Sequence, residues 1–243
     1  MDYFRATRTA TYGFLAALPL LLLYEVSILV VNHGGAAGVR VGADVWMKSL
    51  LLAIGAPGML AVGVAVIAVG VAVFYTERQK PIPLRPSFFG GIVAESMIYA
   101  VGVAFLVSIT VSLLLAMVQE GDPIRQLPLL TRVSLSLGAG LYEELVFRVL
   151  LVGGLAFLLN RLFARPAAPD SRMAYGAAAV IGALLFSAIH YVGPFGDSFQ
   201  VASFLFRFLF GLAMNAIFLL RGFAVAAWTH ALYDVLVVTG MLG

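Results

Sequence analysis

The 243-residue chain has no cysteine, which excludes disulfides, thiolate metal sites and a cysteine nucleophile. Charge is scarce: Asp, Glu, Lys and Arg make up 11% of the residues, against about 25% in an ordinary soluble domain. Histidine occurs only as His33, His190 and His230, so any imidazole chemistry comes from that set. The HExxH helix of soluble metalloproteases, the GxSxG nucleophile elbow and a glycine-rich phosphate loop are all missing. A net charge of +3 on so few ionic groups is not a nucleic-acid footprint, and no nucleic-acid partner is expected. Hydrophobic residues take up 62% of the chain and mean hydropathy is +1.03, which rules out a water-soluble fold.

The hydrophobic residues fall in runs long enough to cross a bilayer, which takes roughly 20 residues at 1.5 Å rise. Spans are predicted near 10–31, 52–75, 89–118, 133–160, 174–192, 199–220 and 222–240. The expected fold class is therefore all-α, a polytopic transmembrane helix bundle of about seven (six to eight) spans. One integral membrane domain is expected over 1–243. The stretch 40–51, containing GADVWMKSLL, reads as an interfacial helix leading into the second span. TERQKPIPLRP and ARPAAPDSR are short proline-containing connectors.

Lys and Arg set the orientation. Nine of them (Arg5, Arg8, Arg78, Lys80, Arg85, Arg161, Arg165, Arg172, Arg221) fall on one side of this topology. Four (Arg40, Lys48, Arg125, Arg132) fall on the other, with Glu120, Asp122 and Asp197. The N-terminus is expected in the cytoplasm and the C-terminus outside. Glu143 then lies roughly 16 Å below the outer boundary and His190 near the outer end of its span, so a site there would open outward or laterally to lipid.

A charged side chain at mid-helix in hydrocarbon costs on the order of 3 kcal/mol even on the lenient insertion scale, so each such residue marks an interior contact or a pathway. The predicted spans hold Glu25, Glu95, Glu143, Glu144, Arg148, His190, Arg207, His230 and Asp234. In GLYEELVFRVL, Glu144 and Arg148 are four apart, one α-helical turn, with the acid first. Glu143 is about 100° away in α geometry and is left without that partner. FSAIH carries Phe186 and His190; HALYD carries His230 and Asp234 one turn apart, so that Asp234 can orient the imidazole. Glu25 and Glu95 are expected to pair with Arg207 or hydrogen-bond backbone, or else to line a cavity. His33, in VNHGGAAG, is expected to be a solvated turn residue.

A buried carboxylate with two imidazoles can run hydrolysis by activating water and holding the oxyanion. The same groups can bind a divalent metal such as zinc through Glu143, His190 and His230. Intramembrane Glu, His and Asp chains also serve as proton relays, which keeps a proton-coupled transporter in play, although no paired halves are visible.

The ordered trio Glu143-Glu144-x-x-x-Arg148, Phe186-x-x-x-His190 and His230-x-x-x-Asp234, on separate helices, resembles the motifs of the CPBP family of intramembrane proteases. That family includes the type II CAAX prenyl endopeptidases and the bacterial Abi or bacteriocin-immunity proteins. The likeness covers roughly residues 130–240. It implies an endopeptidase acting near the C-terminus of a membrane-anchored protein or a lipidated peptide, in a bacterial inner membrane. Glu143 would be the base, His190 would share its water, and His230 with Asp234 would complete the oxyanion site. Glu144, Arg148 and Phe186 would support them. The CAAX endopeptidases typically carry Asn where this chain has Asp234, which leaves a C-terminal sorting anchor as an alternative substrate. A metal-free glutamate mechanism without cofactor is favoured over the zinc version, and a non-catalytic immunity or scaffold protein is the further alternative.

Overall fold

Residues 1–33, 38–53, 55, 58–114, 127–163, 172–193 and 196–241 are described by a computed structural model, with backbone alone at 58–61, 111–114 and 172. Every regular element among them is helical. A short α1 (Tyr3–Ala6), capped by Asp2, leads to α2 (Ala10–Val31), capped by Thr9. The α2 bounds coincide with the first predicted span. Then come α3 (Gly42–Ala53), α4 (Gly58–Glu77) and α5 (Pro86–Leu114). After them a single apolar rod of 35 residues runs from Leu129 to Phe163. It begins as α6 (Leu129–Gly138) and ends as α7 (Gly153–Phe163), followed by α8 (Arg172–Ile189), α9 (Val201–Arg221) and α10 (Phe223–Val238).

Among the described residues four stretches are long and apolar enough to cross a membrane: Ala10–Val31, Pro86–Thr110, Leu129–Phe163 and Val201–Arg221. Three shorter apolar helices, Val62–Glu77, Met173–Ile189 and Phe223–Val238, fall where the other three spans are predicted. Gly55-Ala56-Pro57-Gly58 is expected from the sequence to interrupt the second span locally, and Ala56 and Pro57 of it lie outside the described residues. So do Arg125, Arg165, Glu120 and Asp122 of the charge tally, and most of ARPAAPDSR.

The middle of the 35-residue rod departs from the α geometry assumed above. Ala139–Glu143 and Leu145–Val152 are wound as π-helix, with each amide reaching one residue further back. More residues per turn means less rotation between Glu143 and Glu144 than the 100° of an α-helix. Packing against α10 accounts for the close fit here. Gly140 lies against that helix so tightly that a Cβ would stand 2.5 Å from the Ala231 nitrogen and 2.6 Å from the Ala227 oxygen. The fully buried alanines 224, 226, 227 and 231 make α10 slender enough to sit at the centre, as small residues do between membrane helices. It contacts α2, α5, α6, α9 and the π-helical turns. Gly222, at φ +86°, is the only residue between α9 and α10, and that left-handed conformation lets the chain reverse at once.

Candidate active site

Three elements bring the motif residues together: the π-helical turns, the end of α8 and the middle of α10. Glu144 and Arg148 lie on the rod and are fully buried. The Glu144 Oε2 is 3.1 Å from the Arg148 Nε, as the four-residue spacing suggests. The other carboxylate oxygen reaches across to α10, where His230 donates Nδ1–H to Glu144 Oε1 at 2.7 Å. The second ring nitrogen, Nε2, is 3.5 Å from Asp234 Oδ2. Glu144 therefore holds His230 more tightly than Asp234 does.

Phe186 is the aromatic centre of this group. Its ring meets His190 edge-on at 5.0 Å, His230 at 6.4 Å and Phe147 at 5.2 Å, and the Arg148 guanidinium lies 4.6 Å from its centroid. A cation over an aromatic face is favourable, more so away from water. Phe210 closes the other side of His230 at 5.0 Å. His190 ends α8 and donates Nδ1–H to the Phe186 carbonyl at 2.7 Å, which directs its Nε2 away from the helix. The backbone amide of Asp197 in turn caps the His190 carbonyl at 2.9 Å.

Glu143 differs from its neighbour. It is half-buried and, among the described residues, its carboxylate has neither ion pair nor hydrogen bond. His230, Arg148, Glu144 and Arg207 are within electrostatic range of it, and His190 is within range of Arg207, Asp197 and His230. The structure thus gathers Glu143, Glu144, Arg148, Phe186, His190, His230 and Asp234 into one neighbourhood. Among the described residues no three His, Asp or Glu side chains converge as a metal-binding group; both nitrogens of His230 already face carboxylates.

The polar residues outside the motifs have partners other than those expected. Arg207 pairs with neither Glu25 nor Glu95; its Nη2 donates to Asp197 at 2.5 Å and its guanidinium lies 5.2 Å over the Tyr191 ring. Asp197 is close in sequence and arrives on the loop after α8, so it outcompetes acids on distant helices. Glu95 takes Arg221, with Nη2 at 2.8 Å, and the Tyr3 hydroxyl at 2.7 Å. Glu25 takes Lys48 at 2.8 Å, Arg40 at 3.3 Å and the Tyr142 hydroxyl at 3.0 Å. His33 is exposed in a turn at φ +51°. Tyr142, next to Glu143, was not singled out from the sequence. The available signal was the spacing of Arg40, Asp44 and Lys48 at four-residue steps, which puts a charged face opposite a span that itself holds a glutamate.

Residues 125–236 match the model of the family described as Type II CAAX prenyl endopeptidase Rce1-like. No curated protein and no solved structure matches the chain.

Proposed function

We propose, on the premise of the match of residues 125–236 to the Rce1-like type II CAAX prenyl endopeptidase family, a glutamate-dependent intramembrane endopeptidase in which Glu143 is the base. The observation that carries this reading is the contrast between two adjacent carboxylates. Glu144 is consumed by Arg148 and His230, while Glu143 has charged neighbours but no bonded partner among the described residues. A base must be free to take a proton.

In the proposed reaction Glu143 removes a proton from water, whose oxygen attacks the scissile carbonyl carbon. His190, with its Nδ1–H committed to the Phe186 carbonyl, offers Nε2 to that water as acceptor. His230, with a proton on each nitrogen, donates Nδ1–H to Glu144 and Nε2–H to the carbonyl oxygen as it becomes an oxyanion. The 3.5 Å between His230 Nε2 and Asp234 is longer than a good hydrogen bond, and a water or substrate oxygen can bridge it. Collapse of the tetrahedral intermediate breaks the C–N bond, and Glu143 returns its proton to the leaving amine. We favour metal-free chemistry because, among the described residues, no three His, Asp or Glu side chains converge as a metal-binding group. The substrate we propose is a membrane-associated protein or lipidated peptide cut near its C-terminus, in a bacterial inner membrane with the N-terminus cytoplasmic. With seven crossings and a cytoplasmic N-terminus, as we propose, the site mouth opens on the outer side or toward lipid.

Two measurements test this. Comparing membrane-protein C-termini between cells with and without the chain identifies a substrate, and Glu143→Gln is expected to abolish its cleavage. Full cleavage by Glu143→Gln refutes the assignment. For the side on which the site opens, Val192 is 65% exposed next to Gly193, whose φ of +93° disfavours a side chain. A cysteine at Val192 is expected to react with impermeant thiol reagents from outside; labelling only from the cytoplasm inverts the topology.

A further inference from the structure

Among the described residues the Glu143 carboxylate has no hydrogen bond or ion pair, so nothing bonded to it fixes its position. It also sits in a π-helical stretch, a geometry that α-helix hydrogen bonding alone does not maintain. Its position must come from what its neighbours touch. On one side Glu144 is anchored to Arg148 and His230. On the other, Tyr142 is anchored to a cluster that lies wholly before residue 125, outside the matched segment.

That cluster is dense and balanced. Glu25 on α2 accepts from Lys48, Arg40 and the Tyr142 hydroxyl. Asp44 on α3 accepts from Arg40 at 2.7 Å and from the Tyr24 hydroxyl at 2.9 Å, and forms an ion pair with Lys48 at 2.7 Å. Two acids meet two bases, so no net charge is left in an apolar surround. The Tyr142 ring is held as well as its hydroxyl: Tyr24 meets it edge-on at 5.4 Å and the Lys48 ammonium stands 5.9 Å over its face. Gly138 lets Tyr24 and Val41 press on the start of the wide turns; a Cβ there would be 2.4 Å from the Tyr24 ring. The outer side of α3 shows Trp46, Leu50 and Leu52 to the surroundings, so this helix has one face on the cluster and one available to lipid.

We infer that Glu25, Arg40, Asp44 and Lys48 act as a brace which, through Tyr142, sets the position of Glu143, making Tyr142 a positioning residue of the site. The peptidase reading supplies the role of Glu143; the brace itself is a statement about local order. A misplacement of about 1 Å can cost up to ~100-fold in rate, so a device that fixes this turn has a catalytic consequence.

Tyr142→Phe removes one hydroxyl and little else. In hydrogen exchange on the full chain in detergent, it is expected to speed exchange of the 139–152 amides about tenfold while α8 and α9 stay unchanged, since local openings exchange independently of global ones. Lys48→Met is the second variant and is expected to give the same local pattern. Uniform acceleration across all helices, or none at 139–152, overturns the inference whether or not the chain is a peptidase. With the substrate in hand, Tyr142→Phe is expected to lower kcat about tenfold at unchanged KM, whereas a loss of folded protein alone leaves kcat per active molecule intact. Cleavage by Glu143→Gln sinks the assignment of Glu143 as the base and leaves the exchange result standing.

Discussion

Replacing Glu144 by glutamine removes a full charge from a buried site, where the two groups that share it lose their counter-ion. The carboxylate is fully buried and shared between Arg148, also fully buried, and His230. Taking away one member of a buried ion pair costs about 3–5 kcal/mol, because the remaining charge is stranded. For a chain of this size each kcal/mol moves Tm by roughly 2–4 °C, so the loss should be about 6–20 °C. The assay is thermal unfolding in detergent followed by tryptophan fluorescence. Trp228, whose indole donates to the Ala16 carbonyl at 2.8 Å, is a packed reporter on α10. The second arm is Glu144→Gln with Arg148→Met, which removes the stranded cation; the double variant should recover at least half of the lost Tm. A single-variant shift under about 3 °C, or a double variant less stable than the single one, refutes the claim that the buried Glu144 carboxylate, shared between Arg148 and His230, stabilises the fold.

Gly140→Ala should destabilise by about 1–3 kcal/mol or abolish folding, because its methyl would overlap the α10 backbone. Thermal unfolding checks this, with Gly154→Ala, where a Cβ meets nothing, as the neutral control. Beyond the second predicted span, burial alone would raise the Glu77 carboxyl, but hydrogen bonds from Lys80, from the Thr11 side chain and amide and from the Ala10 amide prevail and hold it at about 2. A lowered carboxyl stabilises the fold above its ordinary value near 4.5 and loses that contribution as pH falls toward 2. Tm measured from pH 6 downward should therefore drop less steeply in Glu77→Gln than in the parent chain; parallel curves would show that the contribution is absent.

The apolar runs made the helices legible because crossing hydrocarbon demands some 20 residues, and α2 follows its run residue for residue. Glu144 with Arg148 was legible for a similar reason: both lie on one helix, and spacing alone puts them in contact. Contacts between helices were not. Glu144 and His230 are 86 positions apart, and nothing local says that the carboxylate chooses the imidazole's Nδ1. The wide turns were hidden too, since they depend on Gly140 meeting Ala227 and Ala231. Tyr142 reads as one more aromatic in an apolar segment until Glu25 is seen beside its hydroxyl. The partners of Arg207 were missed because the loop that delivers Asp197 is set by the α8 end, not by any spacing within a helix.

The immediate reversal at Gly222 has a counting consequence. Arg221 donates to the Phe4 carbonyl at 3.1 Å and Arg8 donates to the Leu219 carbonyl at 3.3 Å, so the chain's first residues and this reversal occupy the same face of the bilayer. Parity then requires an even number of passages between them, whatever path the intervening segments take. A reporter fused ahead of α1 and one inserted at the reversal must share a compartment.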